Sequence, residues 1–433
     1  MTKSLPVPAS TPRLLRAHAT RAGIGLLVPA IALMGCAEAS GAPASHDVKP
    51  MASNVSLTAH PGHARVQHAL DQAVAKGGVP GMIAEVRNGR DAWFGSAGVA
   101  DIKTGRKRQP QERFRIGSAA KAFTSTVVLQ LAGEHKLSLD DTVDKWLPGL
   151  VRGHGNDGRK ITIRQLLNHT SGLFNYGNDE KLFPLFKGEA FLKHRFDTFR
   201  PEDLVKVGIS NPPYFAPGKG FRYSNTGYFL AGMIAEKVTG HPLTDEIRRR
   251  IVVPLGLKGT YLPGEDTAIR GPHPRHYSTL FETAPHAKVY DVTEQNTSYA
   301  WAAGGVVSTA GDLHRFVGAL LNGRLLKPAQ QREMFTTVST KGSGWIPKFK
   351  ARYGLGVFSH ELPCGRKVWG IGGAISGGYT WAMGTRDGKH MMVSNMNGDW
   401  NEPLDALWNV YRAEFCPAGS PAPKSASPSA ATH

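Results

Sequence analysis

The feature that most constrains this chain is the distance along the sequence between its strands. Gly81 to Arg87 (GMIAEVR) and Ala92 to Ala97 (AWFGSA) read as short strands around Asn88-Gly89, a hairpin turn dipeptide. The next group of strands comes near the other end, at Lys367 to Ile371, Tyr379 to Thr385 and Lys389 to Asn395, the last two turned by Arg386-Asp387-Gly388. Helices flank both groups. Ala64 to Ala75 sets Val66, Leu70, Ala73 and Val74 at helical spacing and stops at Gly77-Gly78, and Pro403 to Phe415 reads as a terminal helix. Between the groups, from Ser118 to about Val317, the pattern is mostly helical, as in Val127, Val128 and Leu131, in Ile163 to Leu167, and in Phe229 to Val238. The expected fold class is α+β: an antiparallel sheet flanked by terminal helices, with a large all-helical insertion between its strands. The α/β part takes about 59–117 and 300–416 and the helical part about 118–299, and active sites favour such boundaries.

The two ends of the chain have a different character. Lys3, Arg13, Arg16 and Arg21, with no acid among them, precede an apolar run from Ala22 to Gly35, too short to span a bilayer and laid out as an export signal. The run ends in Leu33-Met34-Gly35-Cys36, which resembles the bacterial lipobox. That resemblance makes residues 1–35 a signal peptide of the lipoprotein type and Cys36 the site of lipid attachment. The alternative is a plain secretory signal cut in the Ala-rich stretch to Ala44. Residues 36–58 and 417–433 are rich in Ala, Ser, Gly and Pro and are expected to be a flexible tether and a disordered tail. The expected location is the outer face of the cytoplasmic membrane as a lipoprotein, or the secreted fraction. Two cysteines then remain in an oxidising compartment, and a Cys364–Cys416 disulfide is expected.

The formal charge is +18, which raises nucleic acid as a partner, but four of the basic residues lie in the export segment. The others are scattered or in short runs such as Arg106-Lys107-Arg108 and Arg248-Arg249-Arg250, without aromatic interleaving, so no nucleic-acid partner is expected. A basic surface suits anionic wall polymers or lipid headgroups, and membrane contact is expected only through the lipid anchor. The sequence has no His-Glu-x-x-His, no Cys-x-x-Cys, no Gly-x-x-x-x-Gly-Lys and no Gly-x-Ser-x-Gly. No metal and no cofactor are expected.

Chemistry begins at Phe114-Arg115-Ile116-Gly117-Ser118-Ala119-Ala120-Lys121, a strand-like run passing into a helix. Residues i and i+3 share a helix face, so Ser118 presents its hydroxyl toward the Lys121 amine. A lysine desolvated at a helix start has its pKa lowered toward that of a usable base. A second constellation, Pro217-Gly218-Lys219-Gly220-Phe221-Arg222-Tyr223-Ser224-Asn225, lies on a loop entering a helix. Tyr223 would relay protons, and Asn225 would hold a substrate carbonyl or orient Lys121. Singly, each has a bland reading as an N-cap or a packed tyrosine.

Together these segments resemble the penicillin-recognising serine hydrolases, in the branch with class C β-lactamases, family VIII esterases and secreted D-alanyl-D-alanine carboxypeptidases. The resemblance covers about His60 to Cys416, nearly all of the expected folded body, and includes Phe114 to Ser118, Ile163-Arg164-Gln165-Leu166-Leu167-Asn168-His169-Thr170-Ser171-Gly172-Leu173, Pro217 to Asn225, and Ala303-Gly304-Gly305-Val306-Val307-Ser308-Thr309. Tyr353-Gly354-Leu355-Gly356, the cysteine pair and Tyr379-Thr380 bring it nearest the carboxypeptidases. It implies a β-lactamase/transpeptidase-like fold and an acyl-enzyme on Ser118, with Lys121 and Tyr223 sharing acid and base work. It also implies an oxyanion hole of the Ser118 and Ala374 backbone N–H groups, Gly372, Gly373 and Asn225 as substrate contacts, and a structural role for His169 in fixing a turn.

The sequence departs from that pattern on the strand beside the cleft. Ile371 stands where the family carries Lys or His, Gly372 where a hydroxyl is common, and Phe358 where the carboxypeptidases place a carboxylate-binding arginine. Arg366, Lys367 or His360 would have to substitute. The expected function is an exported serine hydrolase, D-alanyl-D-alanine carboxypeptidase-like, acting as a monomer on D-amino-acid peptides or related amides. The alternatives are an esterase or β-lactamase-like hydrolase on substrates lacking a free carboxylate, and a penicillin- or wall-peptide-binding protein without turnover.

Overall fold

Strands from the two ends of the sequence meet in the middle of one antiparallel sheet. The structure is a computed structural model and describes residues 63–77, 79–282, 286–346 and 349–419. The export segment, Cys36, the tether and the tail from residue 420 lie outside the described residues. Helix α1 (Ala64–Gly77) leads into the hairpin of β1 (Gly81–Asn88) and β2 (Asp91–Gly98), paired from Gly81↔Gly98 to Asn88↔Asp91. A short ribbon follows from β3 (Arg113–Arg115), which pairs with the distant β4 (Val307–Thr309). The remaining strands are β5 (Val338–Ser339), β6 (Lys350–Tyr353), β7 (Phe358–Glu361), β8 (Lys367–Ile375), β9 (Gly378–Gly384) and β10 (His390–Met396). The sheet order is β2-β1-β10-β9-β8-β7-β6-β5, with β1 joined to β10 through Met82↔Met396.

The sequence pattern finds five of these eight strands. It misses β5, β6 and β7, of two to four residues each, because segments this short carry too little alternation to stand out. It also ends β8 at Ile371, where glycines weaken the strand signal, whereas pairing with β9 runs on to Ile375.

Successive β1 side chains face opposite ways and so enter different cores. Ile83 joins the cluster between the sheet and the helical part, with Phe123, Val127, Phe229, Phe316 and Ile371. Met82 and Ala84 join the cluster that contains α1 residues Val66 and Leu70 and the terminal-helix residues Leu407 and Tyr411. That terminal helix spans Pro403–Phe415, the range read from sequence. A Cys364–Cys416 disulfide ties its end to the β7–β8 turn.

In the middle of the chain lie α2 (Lys121–Gly133), α3 (Ile163–Leu167), α4 (Pro201–Ile209) and α5 (Asn225–Thr239). This part is not helical throughout. It holds two small ribbons, Arg152–Gly153 with Asn156–Asp157 and Tyr277–Ser278 with Tyr290–Asp291. Prolines at 254, 263, 272 and 274 block helix continuation after α5's neighbourhood and leave turns there.

Candidate active site

Ser118 is placed by the ribbon before it and the strand beside it. Pairing of β3 with β4 and the bond from Ile116 N–H to the Val306 carbonyl fix the approach. Gly117 then turns with φ +52, and a Cβ on it would lie 2.3 Å from the Ala374 carbonyl oxygen. Strand β8 therefore passes directly beside Ser118, bringing the Ala374 backbone to it. After one 3-10 turn, Gly117–Ala120, α2 begins at Lys121.

Lys121 is buried and lies 3.1 Å from Ser118 Oγ. Its Nζ also donates to Asn225 Oδ1 at 2.7 Å and to the Ala303 carbonyl at 2.8 Å. Burial holds its amine well below the usual lysine range. With two N–H groups on obligate acceptors, a neutral Lys121 has its lone pair left for the Ser118 hydroxyl. The Tyr223 hydroxyl is hydrogen-bonded to Ser118, and burial pushes its pKa above the ordinary phenol value. Ser118, Lys121, Tyr223 and Asn225 thus come together in one group.

The loop carrying Tyr223 is held by groups far away in sequence. His169, in the left-handed region at φ 61, takes the Ser224 N–H on Nδ1 at 3.2 Å and the Arg222 N–H on its carbonyl at 3.0 Å. Its ring packs on that of Tyr223 with centroids 4.3 Å apart. On another side Tyr223 stacks parallel to Trp345. Asn175 Oδ1 accepts the Asn225 N–H at 3.0 Å. Asn175 follows the His169–Leu173 motif by two residues, a signal that the sequence reading passed over.

Ser118, Asn225 and Ala374 open on a cavity of about 1080 Å³. Gly372 and Gly373, expected to contact substrate, do not line it. A Cβ on Gly372 would meet the Trp381 ring at 2.6 Å, and one on Gly373 would meet the Ser118 nitrogen at 2.4 Å, so these glycines serve packing against Trp381 and close approach to Ser118. Ala374, Ile375 and Ser376 line the cavity instead.

The groups expected to hold a substrate carboxylate are also absent from the lining. Ile371 is buried in the core. Phe358 is buried edge-on to Trp345, where an arginine would strand a charge among aromatic rings. His360 is buried against Phe349, Phe358 and Trp381, and the exposed Arg366 and Lys367 lie at the start of β8. The cavity has Lys187 and His286 as its basic residues and Glu282, Asp399 and Glu402 as its acids. Asp399, which no motif flagged, is half-buried, and burial pushes its carboxyl up to about 6. Among the described residues, no three metal-ligating side chains come together.

A model of the family described as Beta-lactamase matches residues 66–416, a span holding every site residue above. The chain belongs to the Beta-lactamase family. The solved structure of a D-stereospecific amidohydrolase from Streptomyces sp. is 46% identical, covering 82% of this chain and 98% of that one, with a TM-score of 0.75. D-amino acid amidase from Ochrobactrum anthropi SV3 is 26% identical over 82% of this chain and 98% of its own, with a TM-score of 0.70. Penicillin-binding protein 4* of Bacillus subtilis is 28% identical over 61% of this chain, which spans 59% of that protein's length. The matches thus include a penicillin-binding protein and two D-specific amide hydrolases, and the resemblance read from the motifs holds for family and fold.

Proposed function

We propose that this protein is an exported serine amidohydrolase that cleaves amide bonds on the carbonyl side of D-amino acids, rather than a carboxypeptidase. The observation that carries this reading is the loss of the cation a carboxypeptidase places beside the reacting carbonyl: Ile371 and Phe358 stand at those positions, buried in the core and outside the cavity lining. Charge-assisted bonds to a carboxylate are worth about 1.5–3 kcal/mol each, so their loss disfavours a substrate ending in one. The identity to the Streptomyces D-stereospecific amidohydrolase supports the same choice. Export is supported by the disulfide, since such bonds persist in oxidising compartments.

In this reading Lys121 takes the Ser118 proton as Oγ bonds to the carbonyl carbon. The Ser118 and Ala374 N–H groups hold the oxyanion, donors that need no reorganisation as charge develops. Tyr223, kept protonated by burial, gives its proton to the leaving nitrogen as the C–N bond breaks, and the proton on Lys121 replaces it. Water then attacks the ester, its proton passing to the same base, and Ser118 is released with the acid.

The test is ammonia release from D- and L-phenylalanine amide, beside D-alanine release from a D-Ala-D-Ala peptide, by wild type and Ser118→Ala. Release from the D-amide alone, lost in the variant, is expected. D-alanine release as the faster reaction would return the protein to the carboxypeptidases, with Lys187 as the cation to mutate next. Turnover of a nitrophenyl ester with no amide cleaved would make it an esterase.

A further inference from the structure

Asp399 lies on the segment between β10 and the terminal helix, in the wall of the cavity that Ser118 opens on. Its Oδ2 accepts the Gly377 N–H at 2.8 Å. Gly377 is three residues beyond Ala374, in the turn that ends β8, so the carboxylate is anchored to the strand that borders the nucleophile. The Ser278 hydroxyl and the Thr279 N–H also bear on its charge. Four neighbours bear on its charge or line the cavity beside it: the Tyr299 and Tyr379 hydroxyls, Glu402 and Ser376. None of them is a cation, and no lysine, arginine or histidine among the described residues forms an ion pair with Asp399. This half-buried carboxylate has dipoles around it but no counter-charge among the described residues.

We propose that Asp399 is the subsite for a substrate ammonium group, so that the protein acts only at the free amino end of its substrate. The inference rests on the amidohydrolase reading and deepens it. An acyl group seated with its carbonyl at Ser118 and Ala374 has its α-nitrogen one bond from the α-carbon. An ammonium there would give Asp399 the cationic partner that the cavity's own side chains do not pair with it. It also fixes which substituent of the α-carbon faces Asp399, which is one of the contacts a D-selective site requires. The leaving group, by contrast, gains no charged partner from positions 371 and 358, whose Ile and Phe lie in the core outside the cavity, so substrates differing beyond the scissile bond are expected to react alike. Burial raises this carboxyl to about 6, and a cationic substrate beside it would draw that value back down.

The experiment compares kcat/KM for D-phenylalanine amide, N-acetyl-D-phenylalanine amide and nitrophenyl butyrate in wild type and Asp399→Asn. Wild type is expected to prefer the free amine over its acetylated form by at least a hundredfold, and the variant to lose most of that preference. The variant's loss on the free amine should exceed its loss on nitrophenyl butyrate at least thirtyfold. Equal use of the two amides by wild type overturns the proposal, as does an equal loss on all substrates, which would make Asp399 a pin between the 278–279 and 377 turns. Should the variant fail to fold, inhibition of wild-type nitrophenyl butyrate turnover by D-phenylalaninol against N-acetyl-D-phenylalaninol decides. Inhibition by the amine alone supports the subsite, and equal inhibition refutes it. If wild type neither turns over nitrophenyl butyrate nor takes a fluorophosphonate on Ser118, the amidohydrolase reading is the one that falls. Calorimetric binding of D-phenylalaninol then tests the subsite directly, and no binding overturns it.

Discussion

Gly373 leaves no room for a side chain beside Ser118: a Cβ there would lie 2.4 Å from the Ser118 nitrogen, 2.2 Å from the Ile116 carbonyl oxygen and 2.5 Å from the Ala119 nitrogen. All three obstacles are backbone, so none can swing away. Gly373→Ala is expected to push β8 off the 3-10 turn, separating the two N–H groups proposed for the oxyanion. Loss of one such donor costs about 10²–10³ in kcat. The expected result is a kcat loss of that size with the far-ultraviolet dichroism unchanged. Wild-type turnover in the variant would place the oxyanion elsewhere.

Some of this arrangement is legible in the sequence because it is local. Ser118 and Lys121 meet through helical spacing, and Tyr223 and Asn225 share one turn. Other parts depend on pairing across the chain. Asp399 reaches the cavity only because β10 pairs with β1 and β9 in the middle of the sheet, so nothing near it in sequence marks it. Gly372 and Gly373 read as substrate contacts from their motif position, while the Trp381 ring and the Ser118 backbone that explain them come from other segments. The unusual Phe358 becomes intelligible only once Trp345 is seen between it and Tyr223.

The roles of Lys121 and Tyr223 predict a pH profile with a definite sign. Burial lowers the Lys121 pKa, so the amine becomes neutral at a pH well under 10.5, and kcat/KM is expected to rise with pH and reach a plateau below that value. Lys121→Arg keeps a charge but cannot give it up, and should be inactive at every pH tested up to 10. Activity in that variant would mean the residue acts only as a charge. Tyr223→Phe is expected to cost about 10²–10⁴ in kcat as a lost proton relay.

The disulfide is expected to contribute to stability without touching catalysis. Cys364 and Cys416 are 52 residues apart, and closing a loop of that length is worth about 4 kcal/mol in the chain-entropy model. Neither residue lines the cavity. Replacing both with serine should lower the thermal midpoint by several degrees. An unchanged midpoint would show that α1 and the terminal helix hold this end by packing alone.

Buried histidines make the fold sensitive to acid. His360 has both ring nitrogens buried without a partner, and burial brings its pKa down to about 3. His314 comes down to about 4 for the same reason, although Glu85 lies nearby, and His169 and His276 are also held well below the usual range by burial. Each is neutral in the folded protein and takes up a proton once unfolded, so the unfolded state binds more protons between about pH 3 and about 6.5. The stability they allow is present above pH 6.5 and is lost as the pH falls below it, by about 1.4 kcal/mol per pH unit for each histidine that stays neutral. Urea midpoints should therefore fall steeply from pH 6.5 to 4.5. His360→Leu removes one of these groups from a cage of Phe349, Phe358 and Trp381, where an apolar side chain needs no partner. Its stability should decline less steeply over the same interval, and a slope equal to wild type would mean that His360 is already charged in the folded protein.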